Sequence, residues 1–159
     1  MNLDNNVAII PFSNDFKEDV KNLNLEWLKK YFKVEDKDHR ILSDPKGEII
    51  DKGGMIFLAK YANKIVGTVS LIKIDNTTFE LSKMAVTDDV QGLGIGNILM
   101  EDCMAVAKRK GIKKYILYSN RKLLPAIYLY IKFGFVEVSL EEGIYERADI
   151  KMEKQFTYF

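Results

Sequence analysis

The residues most open to a chemical reading are three alternating glycines in Gln91-Gly92-Leu93-Gly94-Ile95-Gly96. Glycines so placed let the backbone turn tightly and leave amide N–H groups uncovered by side chains. At the start of a helix those N–H groups, with the positive end of the helix dipole, suit an anion such as a diphosphate. The spacing is G-x-G-x-G, not the G-x-G-x-x-G of a dinucleotide-binding turn. Gly96 is followed by Asn97, where a P-loop requires Lys and then Ser or Thr. On residue types alone, an anion cradle and a ligand-free glycine turn both stay open.

Such a turn has to be held between a strand and a helix, and the flanking patterns predict both. Residues 79 to 86 read as a strand, the last of an antiparallel meander that begins with 55 to 59 and 65 to 74. The first two strands are joined by a turn at Ala62-Asn63-Lys64. A helix follows the glycines to about Lys110, with Ile95, Leu99, Cys103 and Val106 as its apolar stripe and Gly111 as its stop. Upstream, residues 7 to 12 predict a strand, and Ser13 or Asn14 caps a helix over 15 to 32. The charged stretch from 35 to 50 predicts a short helix and a loop. Downstream come a strand at 113 to 118, a helix at 125 to 133, a strand at 135 to 138 and a last strand near 149 to 154. This order predicts a mixed α/β (α+β) sheet.

Bulk properties narrow the class. The 159 residues, 47% hydrophobic and 30% charged, fit one soluble globular domain spanning 1–159. A net charge of +1 gives no broad footprint for nucleic acid or for an anionic membrane. One cysteine, Cys103, excludes an internal disulfide framework, and with one histidine, His39, it cannot build a Cys/His zinc site, so no metal is expected. Neither a signal-peptide pattern nor a run of roughly 20 apolar residues is present, and a cytoplasmic protein is expected.

Two blocks carry a family resemblance. Met84-Ala85-Val86 followed by Gln91-Gly92-Leu93-Gly94-Ile95-Gly96 resembles the Q/R-x-x-G-x-G/A motif of the GNAT superfamily of N-acetyltransferases. The segment Ala126-Ile127-Tyr128-Leu129-Tyr130-Ile131-Lys132-Phe133-Gly134-Phe135 is similar to its A-x-x-L-Y-x-K-x-G-F block, with Asn120 ending the preceding strand. More loosely, Leu25-Glu26-Trp27, Gly53-Gly54 and Tyr145 to Ile150 resemble a bacterial branch sometimes fused to a MarR-type regulator, whose DNA-binding helices have no counterpart here.

The resemblance implies a GNAT fold: a mixed, mostly antiparallel sheet flanked by helices, with two splayed parallel strands forming the acetyl-CoA cleft. It implies acetyl-CoA as cosubstrate and an amine of a small molecule or peptide as acceptor, attacking directly in a ternary complex. A protein that holds coenzyme A without turning it over is the alternative. Many family members pair, which leaves a homodimer open.

Roles follow residue by residue. The amides of Gln91, Gly92, Leu93, Gly94, Ile95 and Gly96 would hold the coenzyme's diphosphate. The strand before them would carry a bulge, offer the Met84 N–H to the thioester oxyanion, and pair Ala85 and Val86 with the pantetheine, which Asn120 would also reach. Tyr130 is the candidate general acid, its phenol pKa of about 10 lying near that of a thiolate. Tyr128 would instead pack the helix on the sheet. Glu80 is the candidate base or ammonium-binding carboxylate, and period-two alternation would set its side chain on the same face as that of Met84. Trp27, Tyr31 and Phe32 would wall the acceptor site or pack as core, with Arg147 and Asp149 as further acceptor-site candidates. His39 reads as solvated and Cys103 as core.

Overall fold

The computed structural model describes residues 6–90 and 92–157. After β1 (Val7–Pro11), a 3₁₀ turn (Asn14–Phe16) leads into α1 (Lys17–Tyr31). The expected side-chain cap is absent there: the Ser13 carbonyl takes the Phe16 N–H at 3.0 Å, and the Ser13 hydroxyl makes no capping bond. The charged stretch folds as α2 (Asp36–Ser43) and a π-helical turn (Lys46–Ile50), richer in structure than a helix and a loop.

Next come β2 (Met55–Tyr61) and β3 (Lys64–Lys73), joined by Ala62 and Asn63 at φ of 50° and 63°. Two left-handed residues make the tight hairpin turn whose twist matches that of the strands. The remainder is β4 (Thr78–Val86), α3 (Ile95–Lys110), β5 (Lys114–Ser119), α4 (Leu124–Lys132), β6 (Val136–Val138) and β7 (Ile150–Gln155). Gly111, at φ 68°, ends α3 with a left-handed cap.

The seven strands form one sheet in the order β1-β2-β3-β4-β5-β7-β6. Every neighbouring pair is antiparallel except β4–β5, which is parallel. Helices cover both faces. On one, Ile95, Leu99, Cys103 and Val106 of α3 pack with Phe79, Leu81, Val69 and Leu71, all nearly inaccessible to solvent. On the other, Val20 and Leu28 of α1 and Ile41 and Leu42 of α2 pack on Ile56 and Leu58. Fully burying one such side chain contributes about 1.5–3 kcal/mol.

Two expectations fail on the way. Between β3 and β4, Ser70 faces Ser82 and Thr68 faces Ala85, so Lys83 and Met84 together oppose Val69. This bulge, with Lys83 at φ 54°, breaks the alternation. Met84 therefore joins the α3-side cluster of Phe79 and Leu81, and its side chain does not share a face with that of Glu80. Tyr128 does not pack on the sheet either; it is 65% exposed on the outer side of α4.

Candidate active site

The parallel ladder between β4 and β5 has three rungs, Thr78↔Lys114, Phe79↔Tyr115 and Glu80↔Ile116. Beyond Glu80 the strands separate. The gap opens into a cleft of about 440 Å³, lined by residues 80–86 of β4, the end of β5, α4, the end of α1 and the loop before β7. That volume lies within the range of small-ligand sites.

Gly92 and Gly96 are among the residues that line the cleft. Gly92 and Gly94 have φ of 86° and 81°, a conformation that costs other residues strain. A Cβ built on either meets nothing within 4 Å, so these glycines are required by the backbone and not by packing. Gly94 caps α3 with no side-chain capping bond, and the helix's first-turn N–H groups have no carbonyl partner within the helix. A cradle that is open, free of side chains and at a helix N-terminus fits an anion such as a diphosphate. Gln91, expected in this turn, lies outside the described residues. Lys132 of α4 donates to Asn97 Oδ1 at 2.6 Å, which ties α4 to the first turn of α3.

Met84, of the bulge, and Ala85 and Val86 after it line the cleft, as does Tyr130 of α4. The Tyr130 ring leans on Phe135 with centroids 6.0 Å apart. Burial pushes its phenol up to about 12, so it stays a proton donor throughout the neutral range. Asn120 reaches the cleft but is also used structurally. Its Nδ2 donates to the Arg147 carbonyl at 2.8 Å, and its Oδ1 accepts the Lys122 N–H at 3.0 Å.

The rest of the lining is aromatic and charged. Trp27 and Tyr31 contribute from α1, Phe32 from just after it, Tyr118 from β5 and Tyr145 from the loop before β7. Glu80 is 6% exposed and accepts the Tyr145 hydroxyl at 3.2 Å. Burial pushes its carboxyl above the usual range, although Lys37, Tyr145 and Lys83 pull the other way.

Behind it lies an ion cluster with no clear sequence signal. Asp38, fully buried, accepts Lys83 Nζ at 2.6 Å and both terminal nitrogens of Arg147 at 2.8 and 2.9 Å. Arg147 also reaches Glu35 at 2.7 Å. Arg147 is therefore both a lining residue and a member of this cluster, while Asp149 accepts the Arg121 N–H at 2.8 Å. Burial lowers the Lys83 ammonium despite the Asp38 carboxylate beside it.

Two residues stand apart from the cleft. His39 is exposed on α2. Cys103 is buried, with its thiol pushed up by burial, which leaves it inert. Among the described residues no group of three or more His, Cys, Asp or Glu side chains could hold a metal, and no helix is long and apolar enough to cross a membrane.

Comparison with known proteins agrees with this geometry. An N-acetyltransferase of uncharacterised role from Bacillus subtilis, YvbK, is 26% identical over 113 residues, covering 69% of this chain and 73% of that protein. A GNAT-family acetyltransferase structure from Staphylococcus aureus superposes with a TM-score of 0.85 at 25% identity, covering 94% of this chain and 98% of that one. PaiA N-acetyltransferase from Thermoplasma acidophilum, solved with coenzyme A, superposes at 0.73 and 21% identity, covering 94% and 99%. The model of the acetyltransferase (GNAT) family matches residues 20–135. With that match over most of its length, laid on a sheet that splays after Glu80, the chain belongs to the GNAT family of acetyltransferases.

Proposed function

We propose that the protein is an acetyl-CoA-dependent N-acetyltransferase that moves an acetyl group to a primary amine by direct attack in a ternary complex. The observation that carries this reading is the separation of β4 from β5 immediately beyond Glu80, which opens a cleft running from the glycine turn to Tyr130. The coenzyme A held by the Thermoplasma relative is consistent with such a ligand.

In this reading the amides of the glycine turn bind the coenzyme's diphosphate, and Ala85 and Val86 pair with its extended arm. The Met84 N–H, presented by the bulge, donates to the thioester oxygen as negative charge gathers there; one such donor is typically worth about 3 kcal/mol. Glu80 takes a proton from the acceptor ammonium, directly or through water. A carboxyl with a raised pKa is the better matched base near neutrality. As the C–N bond forms and the C–S bond breaks, Tyr130 gives its phenolic proton to the departing sulfur and recovers one, through water, from the nitrogen of the new amide. Holding both reactants in one cleft supplies much of the rate.

Calorimetric titration with acetyl-CoA, paired with free-thiol release in the presence of amines, tests this. Gly94→Trp, whose indole would fill the cradle, should leave the circular dichroism spectrum native and abolish coenzyme binding. Undiminished binding in that variant would remove the glycine turn from the site. Tight binding without thiol release from any amine would point to a sensor.

A further inference from the structure

The cleft's lining combines aromatic rings from two sides with a single carboxylate among the described residues. On the α1 side, Trp27 stands 5.8 Å from Tyr31 and 5.5 Å from Phe32, centroid to centroid. On the other side Tyr118 and Tyr145 are 5.9 Å apart. Among the described residues that line the cleft Glu80 is the only acid, against three bases, Lys83, Lys122 and Arg147.

Three further carboxylates bonded to cleft-lining residues are already engaged, among them Glu141, which accepts the Tyr118 hydroxyl at 3.2 Å and Lys151 at 2.6 Å. Asp38 is bonded to Lys83 and Arg147, and Glu35 to Arg147. Three cations also surround the Tyr145 ring, with Lys37 at 4.2 Å, Arg147 at 4.9 Å and Lys83 at 5.5 Å from its centroid. One ammonium entering beside Glu80 meets a carboxylate and ring faces that attract cations. A second or third positive charge on the same ligand would meet the cations Lys37 and Lys122, while Asp38 and Glu35 are spent on balancing Lys83 and Arg147. The same cations lower the pKa of a bound ammonium, which favours the neutral amine that attacks a thioester.

From this lining we infer that the acceptor is a monoamine carrying an aromatic or comparably flat apolar body, and not a polyamine or an aminoglycoside. The inference rests on the proposed acetyl transfer and adds the substrate class. The amine nitrogen lies toward Glu80 and the body lies between the α1 rings and Tyr118.

Initial rates of thiol release, at saturating acetyl-CoA, would be compared for phenethylamine, tyramine, spermidine and kanamycin. The expected kcat/KM is about tenfold or more higher for the two aromatic amines, the scale of one well-made aromatic contact. Tyr31→Ala, at a 37% exposed position where truncation spares the core, should raise KM for phenethylamine several-fold. It should leave KM for acetyl-CoA unchanged, and Tyr31→Phe should restore the wild-type value.

Spermidine or kanamycin matching the aromatic amines would overturn the proposal. So would a protein that binds acetyl-CoA by calorimetry yet neither acetylates phenethylamine nor binds it in the presence of coenzyme A; the coenzyme site would survive that result. Failure to bind acetyl-CoA at all would overturn the acetyl-transfer reading itself, and this inference with it.

Discussion

Replacing Asp38 by Ala probes the ion cluster behind the β4 bulge. The wild-type carboxylate is fully buried and accepts Lys83, both terminal nitrogens of Arg147, and the Glu35 N–H at 3.0 Å. Without it, the Lys83 ammonium, its side chain 3% exposed, is left buried without its paired carboxylate. Removing one member of a buried pair costs about 3–5 kcal/mol. At roughly 2–4 °C per kcal/mol for a domain of this length, Tm should fall by about 6–20 °C at pH 7. The double variant Asp38→Leu/Lys83→Met should recover most of that loss, because apolar groups of similar size replace a buried pair at little net cost.

The pH dependence has a definite sign. Burial alone would raise the Asp38 carboxyl, but Arg147 and Lys83 hold it down to about 2, against about 3.9 in the unfolded chain. A depressed acid stabilises the fold above its unfolded pKa, here by about 2–3 kcal/mol, and the benefit fades as pH falls toward the folded value. The gap in Tm between wild type and Asp38→Ala should therefore be full at pH 5–7 and shrink between pH 4 and pH 2. Scanning calorimetry across that range reads it. A variant melting within about 2 °C of wild type at pH 7, or a gap that does not narrow in acid, would refute the reasoning.

Two further outcomes concern the chemistry. Tyr130→Phe should lower turnover by about a hundredfold, the low end for a lost general acid, while calorimetry finds acetyl-CoA affinity nearly unchanged; unaltered turnover would take the phenol out of the mechanism. Because burial raises the Glu80 carboxyl, its basic form appears only as pH climbs past the ordinary value of about 4.3. The acid limb of kcat/KM should accordingly lie above that value and disappear in Glu80→Gln. Superimposable profiles for the two proteins would exclude Glu80 as the base.

The residues legible in the sequence are those whose signal is local. The α3 stripe of Ile95, Leu99, Cys103 and Val106 and the glycines at 92, 94 and 96 announce themselves by spacing. The cluster of Asp38, Lys83 and Arg147 gave no such sign. Its members lie 45 and 109 positions apart, and although Arg147 was an acceptor-site candidate, nothing tied it to Asp38 in the charged stretch from 35 to 50. The bulge was expected from the family likeness but could not be located, because a lysine at φ 54° leaves no mark on hydrophobic periodicity. Unlocated, it also put the Glu80 and Met84 side chains on one face. Tyr128 shows the converse error: an aromatic on an apolar helix looked like packing, but the short α4 turns it outward.

The three rungs between β4 and β5 divide the sheet into two unequal plates, β1 to β4 and β5 to β6, hinged along a short seam. A molecule that fills the wedge beyond the seam and bonds to both plates becomes a removable part of the scaffold. Its binding energy then adds to the stability of the whole domain, by about 2.7 kcal/mol at a hundred times Kd. Resistance to unfolding would rise and fall with the supply of that molecule, so the protein would last longest in the conditions that give it work.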